Sequence, residues 1–114
     1  MWRDDAYLLD ILLAARKVLR YVGDLSWETF KEDEIIQDAV IRNLQINGEA
    51  ARKISEEFRR VHPEVPWGQI VGMRHRLVHE YSRIDTAKIW ETAVDDIPSL
   101  IRIIEPLVPP EDQV

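Results

Sequence analysis

The sequence predicts an all-α protein, an up-and-down bundle of about five helices. Apolar residues recur with a period near 3.6 through most of the 114 residues, which is the spacing of one face of a helix. No segment alternates apolar and polar residues as a half-buried strand does. Short breaks separate the periodic segments, which favours antiparallel neighbours. We therefore expect one domain over residues 1–114, with a short flexible tail at about residues 108–114.

Three helices are predicted in the N-terminal half. Helical spacing runs from about residue 4 to residue 22, and Gly23 supplies a C-terminal stop. Ser26 is a good N-cap for a short helix in WETFKED, whose first turn is acidic. The third helix is predicted as one long element from about Asp33 to Val61, because its apolar stripe continues in steps of four and three.

Two further helices are predicted in the C-terminal half. Pro63 ends the preceding helix, and Pro66 can serve as the first residue of a helix from Trp67 to about His79. Asp85 caps the fifth helix. Pro98 falls inside the apolar pattern of that helix, so we expect it to kink the helix or to split it in two.

Asn47 and Gly48 interrupt the apolar stripe of the long helix. A glycine in mid-helix costs roughly 1 kcal/mol relative to alanine. A helix keeps such residues where a neighbour packs very close or where a polar group is needed inside. Close core packing is the interpretation we favour for Gly48.

The composition excludes several classes of protein. The chain has no cysteine, which excludes disulfide scaffolds and thiolate sites, and no run long enough to span a membrane. The N-terminal apolar stretch carries aspartates, unlike a secretory signal peptide, so a cytoplasmic protein is expected. The net charge of −6 argues against a broad nucleic-acid surface. Any RNA or nucleotide must therefore meet a local basic patch, for which the ratio of 11 Arg to 4 Lys is suggestive.

The stretch MRHRLVHEY, residues 73–81, contains two of the three histidines. On a helical wheel Arg74 lies at the centre of the apolar stripe, where an unpaired charge would be costly. Two explanations remain open: a salt bridge to a core-facing carboxylate such as Glu49, or an anion site for phosphate.

His79 lies about 140° from Arg74 on the same wheel, so a straight helix cannot direct both side chains at one substrate. Either the helix ends near Val78, so that the following residues turn back, or a second subunit brings its own copy across a two-fold axis. His75 and His79 share a face, but Arg76 stands where a zinc protease needs glutamate, and only Glu80 offers a third ligand. A metal site is therefore not expected.

An arginine and a histidine together have the chemistry of a metal-free ribonuclease. Histidine titrates near neutrality and can transfer a proton, and arginine can stabilise the charge of a pentacovalent phosphate. They suffice for attack of an RNA 2′-OH on its neighbouring phosphate. A lone histidine is nevertheless more often structural.

RHRLVHEY fits the pattern R-x4-H-x-Y at Arg74, His79 and Tyr81. It follows HPEVPWGQIVGM and a helix with QDAVIRNLQINGEAARKISEEF, and the arrangement over about residues 5–105 resembles the HepT-like branch of the HEPN superfamily. The resemblance implies an all-α homodimer in which two such motifs meet at the interface. It also implies a metal-independent endoribonuclease, the toxin of a toxin–antitoxin pair.

The same resemblance implies a role for each motif residue. Arg74 and His79 would be catalytic, and Tyr81 would receive AMP from a cognate minimal nucleotidyltransferase of the MNT type, which silences the toxin. The residues expected in supporting or substrate-binding roles are His75, Asn43 and Glu80. The family commonly has asparagine at the position of His75, which leaves the proton-transferring histidine open.

Alternatively, the chain is a non-catalytic subunit that binds a nucleotide or presents Tyr81 to its partner. A purely structural reading also remains, in which Arg74 pairs with Glu49 and the histidines are passive. No cofactor, membrane or DNA partner is expected.

Overall fold

The computed structural model describes residues 2–110, apart from the side chains of Trp2 and Tyr81. These residues form an all-α bundle of 42 × 28 × 20 Å, with no strand among them. The α-helices are α1 (Trp2–Val22), α2 (Trp27–Phe30), α3 (Glu34–Lys53), α4 (Glu56–Val61), α5 (Trp67–His79), α6 (Thr86–Glu91) and α7 (Ile97–Ile104). A 3-10 turn, Tyr81–Arg83, follows α5, a π-helical segment, Thr92–Asp96, joins α6 to α7, and a 3-10 turn, Glu105–Leu107, follows α7.

The predicted capping residues lie at helix ends, as expected. Gly23 adopts a φ of +45° after α1, where its N–H donates to the Leu19 carbonyl at 2.8 Å. Ser26 and Asp85 accept backbone N–H bonds at the starts of α2 and α6. Pro66 is the N-cap of α5 rather than its first residue.

The prediction of one long helix from Asp33 to Val61 is wrong. The chain leaves the helix at Ile54, whose ψ is 140°, and Ser55 caps a separate α4 by accepting the Phe58 N–H. The carboxylate of Asp4, 5% exposed, accepts both the N–H and the hydroxyl of Ser55, at 2.9 and 2.7 Å. Polar contacts with the start of α1 therefore stabilise the break.

Pro98 affects the last helix as predicted, through a wider turn. It lies in the first turn of α7, directly after the π segment, where the Ile97 N–H donates to the Thr92 carbonyl five residues back. The wider turn joins α6 to α7 without a loop. It accommodates Pro98, which has no N–H to donate.

The hydrophobic core lies between α1, α3, α5 and α7. Helix α3 packs against both α1 and α5, and α1 packs also against α7. Asn47, in the apolar stripe of α3, is 3% exposed and donates to the Ile11 carbonyl of α1 at 2.9 Å. Val108, in the predicted tail, packs against the core, and residues 111–114 lie outside the described part. No helix in the described part is long and apolar enough to cross a membrane.

Candidate active site

Gly48 brings α3 and α5 into close contact beneath Arg74. A Cβ atom on Gly48 would overlap the Cβ of Arg74 and would lie 2.9 Å from the carbonyl oxygen of Ile70. The stem of Arg74 therefore packs directly on the backbone of α3, which fixes where its guanidinium begins. The prediction that close packing explains Gly48 is confirmed.

Arg74 forms an ion pair with Glu49, which was one of the two explanations for its inward position. Nη2 of Arg74 lies 3.0 Å from Oε2 of Glu49, and the two side chains are 28% and 33% exposed. Oε2 is nevertheless buried and accepts no hydrogen bond from the described residues, so the N–H groups of Arg74 are not aimed at it. The contact is Coulombic without the alignment of a hydrogen bond.

Glu49 also interacts with two further cations, Arg52 and Lys53. Its Oε1 accepts a hydrogen bond from Arg52 at 2.8 Å and lies 3.7 Å from Nζ of Lys53. The hydrogen bond from Arg52, together with the charges of Arg52, Arg74 and Lys53, lowers the pKa of Glu49 against the opposing effect of desolvation. One carboxylate thus faces three cations, which leaves positive charge for an external anion.

Arg74 lines an open groove of about 360 Å³ between α1, α3 and α5. The charged lining comprises Asp10, Arg42, Glu49, Lys53 and Arg74. Two apolar residues of the groove, Ile46 and Val78, are 38% and 43% exposed, and they belong to the small set of large apolar residues exposed in the described part. A groove that combines cations with exposed apolar surface has the character of an interface. Sequence reasoning missed Ile46.

The core-facing stripe of α5 is narrower than the wheel predicted. Trp67, Ile70 and Leu77 are buried, whereas Val78 is exposed and Arg74 is partly buried. The buried face is therefore displaced away from Val78, and Arg74 lies at its edge. This position lets the guanidinium reach the groove instead of the core.

His79 does not join Arg74 within one chain. It lies on the exposed side of α5, where its ring packs on that of His75 with centroids 4.5 Å apart. Helix α5 continues to His79, so it does not end early and turn the histidine back. The early end of the helix, one of the two predicted arrangements, is therefore not observed, and the arrangement with a second subunit stays a prediction.

The end of α5 is held by α3. Gln45, which also lines the groove, donates from Nε2 to the Leu77 carbonyl at 3.3 Å, and the Glu80 N–H donates to the Arg76 carbonyl at 2.8 Å. Gln45 thereby positions the turn that bears His79, a role that the sequence did not suggest. Glu80 is exposed. The side chain of Tyr81, the predicted modification site, lies outside the described residues.

Asn43 is turned into the bundle. It is 5% exposed, and its amide donates to the Ala39 carbonyl of its own helix at 2.9 Å. The structure does not bring it to the exposed histidines. In the described part of the chain, no three His, Asp or Glu side chains are grouped as metal ligands.

The chain resembles proteins of a known family over nearly its whole length. The family described as "Ribonuclease HepT-like" matches residues 11–107. The chain belongs to the ribonuclease HepT-like family. It is 42% identical over 94 residues to "Probable ribonuclease HepT" of Thermococcus cleftensis, an alignment that covers 82% of this chain and 86% of that protein.

A second relative is "Putative RNase MJ1380" of Methanocaldococcus jannaschii. It is 39% identical over 100 residues, which cover 88% of this chain and 92% of the relative. No solved structure matches the chain. The family match thus covers nearly the whole bundle, including α3 and α5.

Proposed function

We propose that this chain is a metal-independent endoribonuclease whose active site forms between two copies of the chain. The names of its relatives support the activity, since both are called ribonucleases. The observation that carries the two-copy arrangement is the separation of Arg74 from His79: one lines the groove and the other lies on the exposed side of the same helix.

Arg74 provides the anion site. Packing on Gly48 fixes its stem, and the ion pair with Glu49 lacks hydrogen-bond alignment, so an incoming phosphate can take the guanidinium N–H groups. Arginine binds phosphate through paired, charge-assisted hydrogen bonds. Such donors stabilise the extra negative charge of a pentacovalent phosphorane.

His79 of a second copy provides proton transfer. In our proposal its imidazole takes the proton from the RNA 2′-OH while the 2′ oxygen bonds to the adjacent phosphorus. The bond from phosphorus to the 5′ oxygen then breaks, and that oxygen takes a proton from an imidazolium, for which His75 is the nearest further candidate. The products are a 2′,3′-cyclic phosphate and a 5′-hydroxyl.

The groove also supports the homodimer. Ile46 and Val78 expose apolar surface beside Arg74, and a second copy would remove that surface from water. A two-fold axis through this face makes the contact self-complementary. Such a dimer brings the exposed side of one α5 towards the groove of the other.

The proposal includes regulation by a partner. Tyr81 begins the 3-10 turn immediately after α5. A cognate nucleotidyltransferase of the MNT type, acting as antitoxin, would transfer AMP from ATP to its hydroxyl and release pyrophosphate. The adduct would place a negative phosphate two residues from His79. Intact-mass measurement of the co-expressed pair tests this step, and an unmodified Tyr81 in a silenced complex would contradict it.

Cleavage of a defined RNA in the presence of EDTA tests the activity. We expect the wild type to release products with a cyclic phosphate or its opened form, and Arg74→Ala and His79→Ala to abolish release. Matched controls are Arg102→Ala, an exposed arginine on α7, and His62→Ala, a histidine paired with Glu64. Cleavage that survives both site variants would refute the proposal.

A further inference from the structure

A second concave site shares no lining residue with the groove at Arg74. It is a crevice of about 110 Å³ between α3, α5 and the segment that runs from α6 to α7. Leu44, Ile70 and Met73 give it apolar walls. Small-molecule sites are typically apolar clefts with a few polar groups, and polar side chains also line this crevice.

The first of these polar groups is the hydroxyl of Thr92. Thr92 is 6% exposed and lines the crevice, and its buried Oγ1 has no hydrogen-bond partner among the described residues. A buried threonine in a helix ordinarily bonds to a carbonyl one turn back. Thr92 begins the π segment, a type of distortion that is frequent at functional sites. Its hydroxyl therefore keeps hydrogen-bonding capacity that no described residue uses.

Charged groups surround the mouth of the crevice. Arg76 and Lys88 line both the crevice and an adjoining hollow, whose other charged residues are Arg83, Glu80 and Asp85. Within residues 2–110, no carboxylate forms an ion pair with Arg76 or Arg83, and Lys88 has only an exposed contact with Glu91 at 3.5 Å. These cations fit a phosphate, which prefers clustered arginine and lysine.

We propose that this crevice binds one nucleotide of the RNA substrate, with the base between the apolar walls and the phosphate at Arg76 and Lys88. This inference rests on the proposed ribonuclease activity. Arg76 lies three residues before His79, which is about 4.5 Å along the helix axis. A strand that passes His79 can therefore continue into the crevice.

The polar groups of the crevice determine which base fits. Asp96 lines it and makes no capping hydrogen bond at the start of α7. A carboxylate accepts hydrogen bonds from an exocyclic amine, such as N4 of cytosine. Uracil presents a carbonyl oxygen at that position, which a carboxylate repels. The crevice therefore selects cytosine over uracil, with Thr92 as a further hydrogen-bonding partner.

Titration of the wild-type protein with CMP, UMP and inorganic phosphate, followed by NMR, tests the inference without any cleavage step. CMP should shift the amide signals of Met73, Thr92 and Ile97, and should bind about tenfold more tightly than UMP. Thr92→Val should weaken CMP binding about fivefold through loss of one hydrogen bond. Asp96→Asn should reduce the preference for CMP.

Lys88→Gln should weaken the binding of CMP and of UMP by the same factor. Lys31→Gln, at an exposed lysine beside α2, should change the binding of neither nucleotide. Absence of nucleotide binding, signal shifts confined to other surfaces, or binding of inorganic phosphate as tight as that of CMP would overturn the inference. RNA cleavage without binding in the crevice would refute only this subsite. CMP binding without RNA cleavage would refute only the ribonuclease.

Discussion

The guanidinium of Arg74 lies 3.0 Å from the carboxylate of Glu49, yet the buried Oε2 that it approaches accepts no hydrogen bond from the described residues. The other oxygen of that carboxylate bonds Arg52. The ion pair therefore holds Arg74 near the groove without occupying its donors. An anion that aligns with those donors gains hydrogen bonds that Glu49 does not make.

Replacement of Glu49 by glutamine should strengthen RNA binding. The carboxylate opposes a phosphate at Arg74, and its removal leaves the arginine stem packed on Gly48. We expect the Kd for a 2′-O-methyl RNA, which lacks the attacking hydroxyl, to fall roughly threefold to tenfold at low salt. Fluorescence anisotropy measures it. Glu64→Gln, at a carboxylate paired with His62, should leave Kd unchanged; weaker binding by Glu49→Gln would contradict the account.

The lowered pKa of Glu49 makes its contribution to stability depend on pH. The pKa of Glu49 is near 4.5 in the unfolded chain and lower in the folded protein. The ionised carboxylate therefore stabilises the fold at pH values above 4.5, and this stabilisation is lost as the pH falls through the pKa of the folded state. Urea unfolding of the wild type and of Glu49→Gln between about pH 7 and about pH 3 measures the difference. The wild type should be the more stable at neutral pH, and the difference should shrink in acid. A difference that grows in acid would have the wrong sign.

Gly48→Ala should separate α3 from α5. The new methyl group meets the Arg74 stem and the Ile70 carbonyl, so we expect a loss of about 1–3 kcal/mol in the free energy of unfolding. Gly72→Ala is the matched control, because its Cβ would meet nothing within 4 Å. It should stabilise α5 by about 0.5–1 kcal/mol through helix propensity. Equal effects of the two substitutions in urea unfolding would refute the close-packing explanation.

Val78→Asp should dissociate the proposed homodimer. An unpaired charge buried at an interface costs several kcal/mol, so the dimer Kd should rise roughly 100-fold or more. Sedimentation velocity measures the change. Ile35→Asp, at a residue that is 82% exposed at the start of α3, places the same charge outside the groove and should leave the dimer intact. If Ile35→Asp dissociates the dimer and Val78→Asp does not, the interface lies outside the groove.

Local patterns in the sequence predicted most of the fold. Gly23, Ser26 and Asp85 each mark a helix end through their own backbone or side chain, so neighbouring residues suffice to predict it. The break at Ser55 depends on Asp4, 51 residues away, whose carboxylate takes two hydrogen bonds there. Ser55, with two glutamates after it, has the pattern of an N-cap. The apolar stripe continues from Ile54 to Phe58 across this position, and it obscured that signal.

The candidate site was only partly predictable, because local sequence patterns do not show contacts between helices distant in sequence. The helical wheel predicted that Arg74 faces inward, and Glu49 was a predicted partner. The two side chains form an ion pair. The helical wheel could not predict that Leu77 is buried while Val78 is exposed. That difference depends on how α3 and α5 pack at Gly48. The groove and the crevice depend on the same packing of helices distant in sequence, so neither was predicted.

The central claim is that each active site takes Arg74 from one subunit and His79 from the other. Complementation between Arg74→Ala and His79→Ala subunits tests it most directly. Each variant alone should be inactive. A 1:1 mixture, allowed to exchange subunits, should recover about a quarter of wild-type RNA cleavage, because half of the dimers are mixed and each mixed dimer contains one complete site. A mixture that exchanges subunits and stays inactive would contradict the claim.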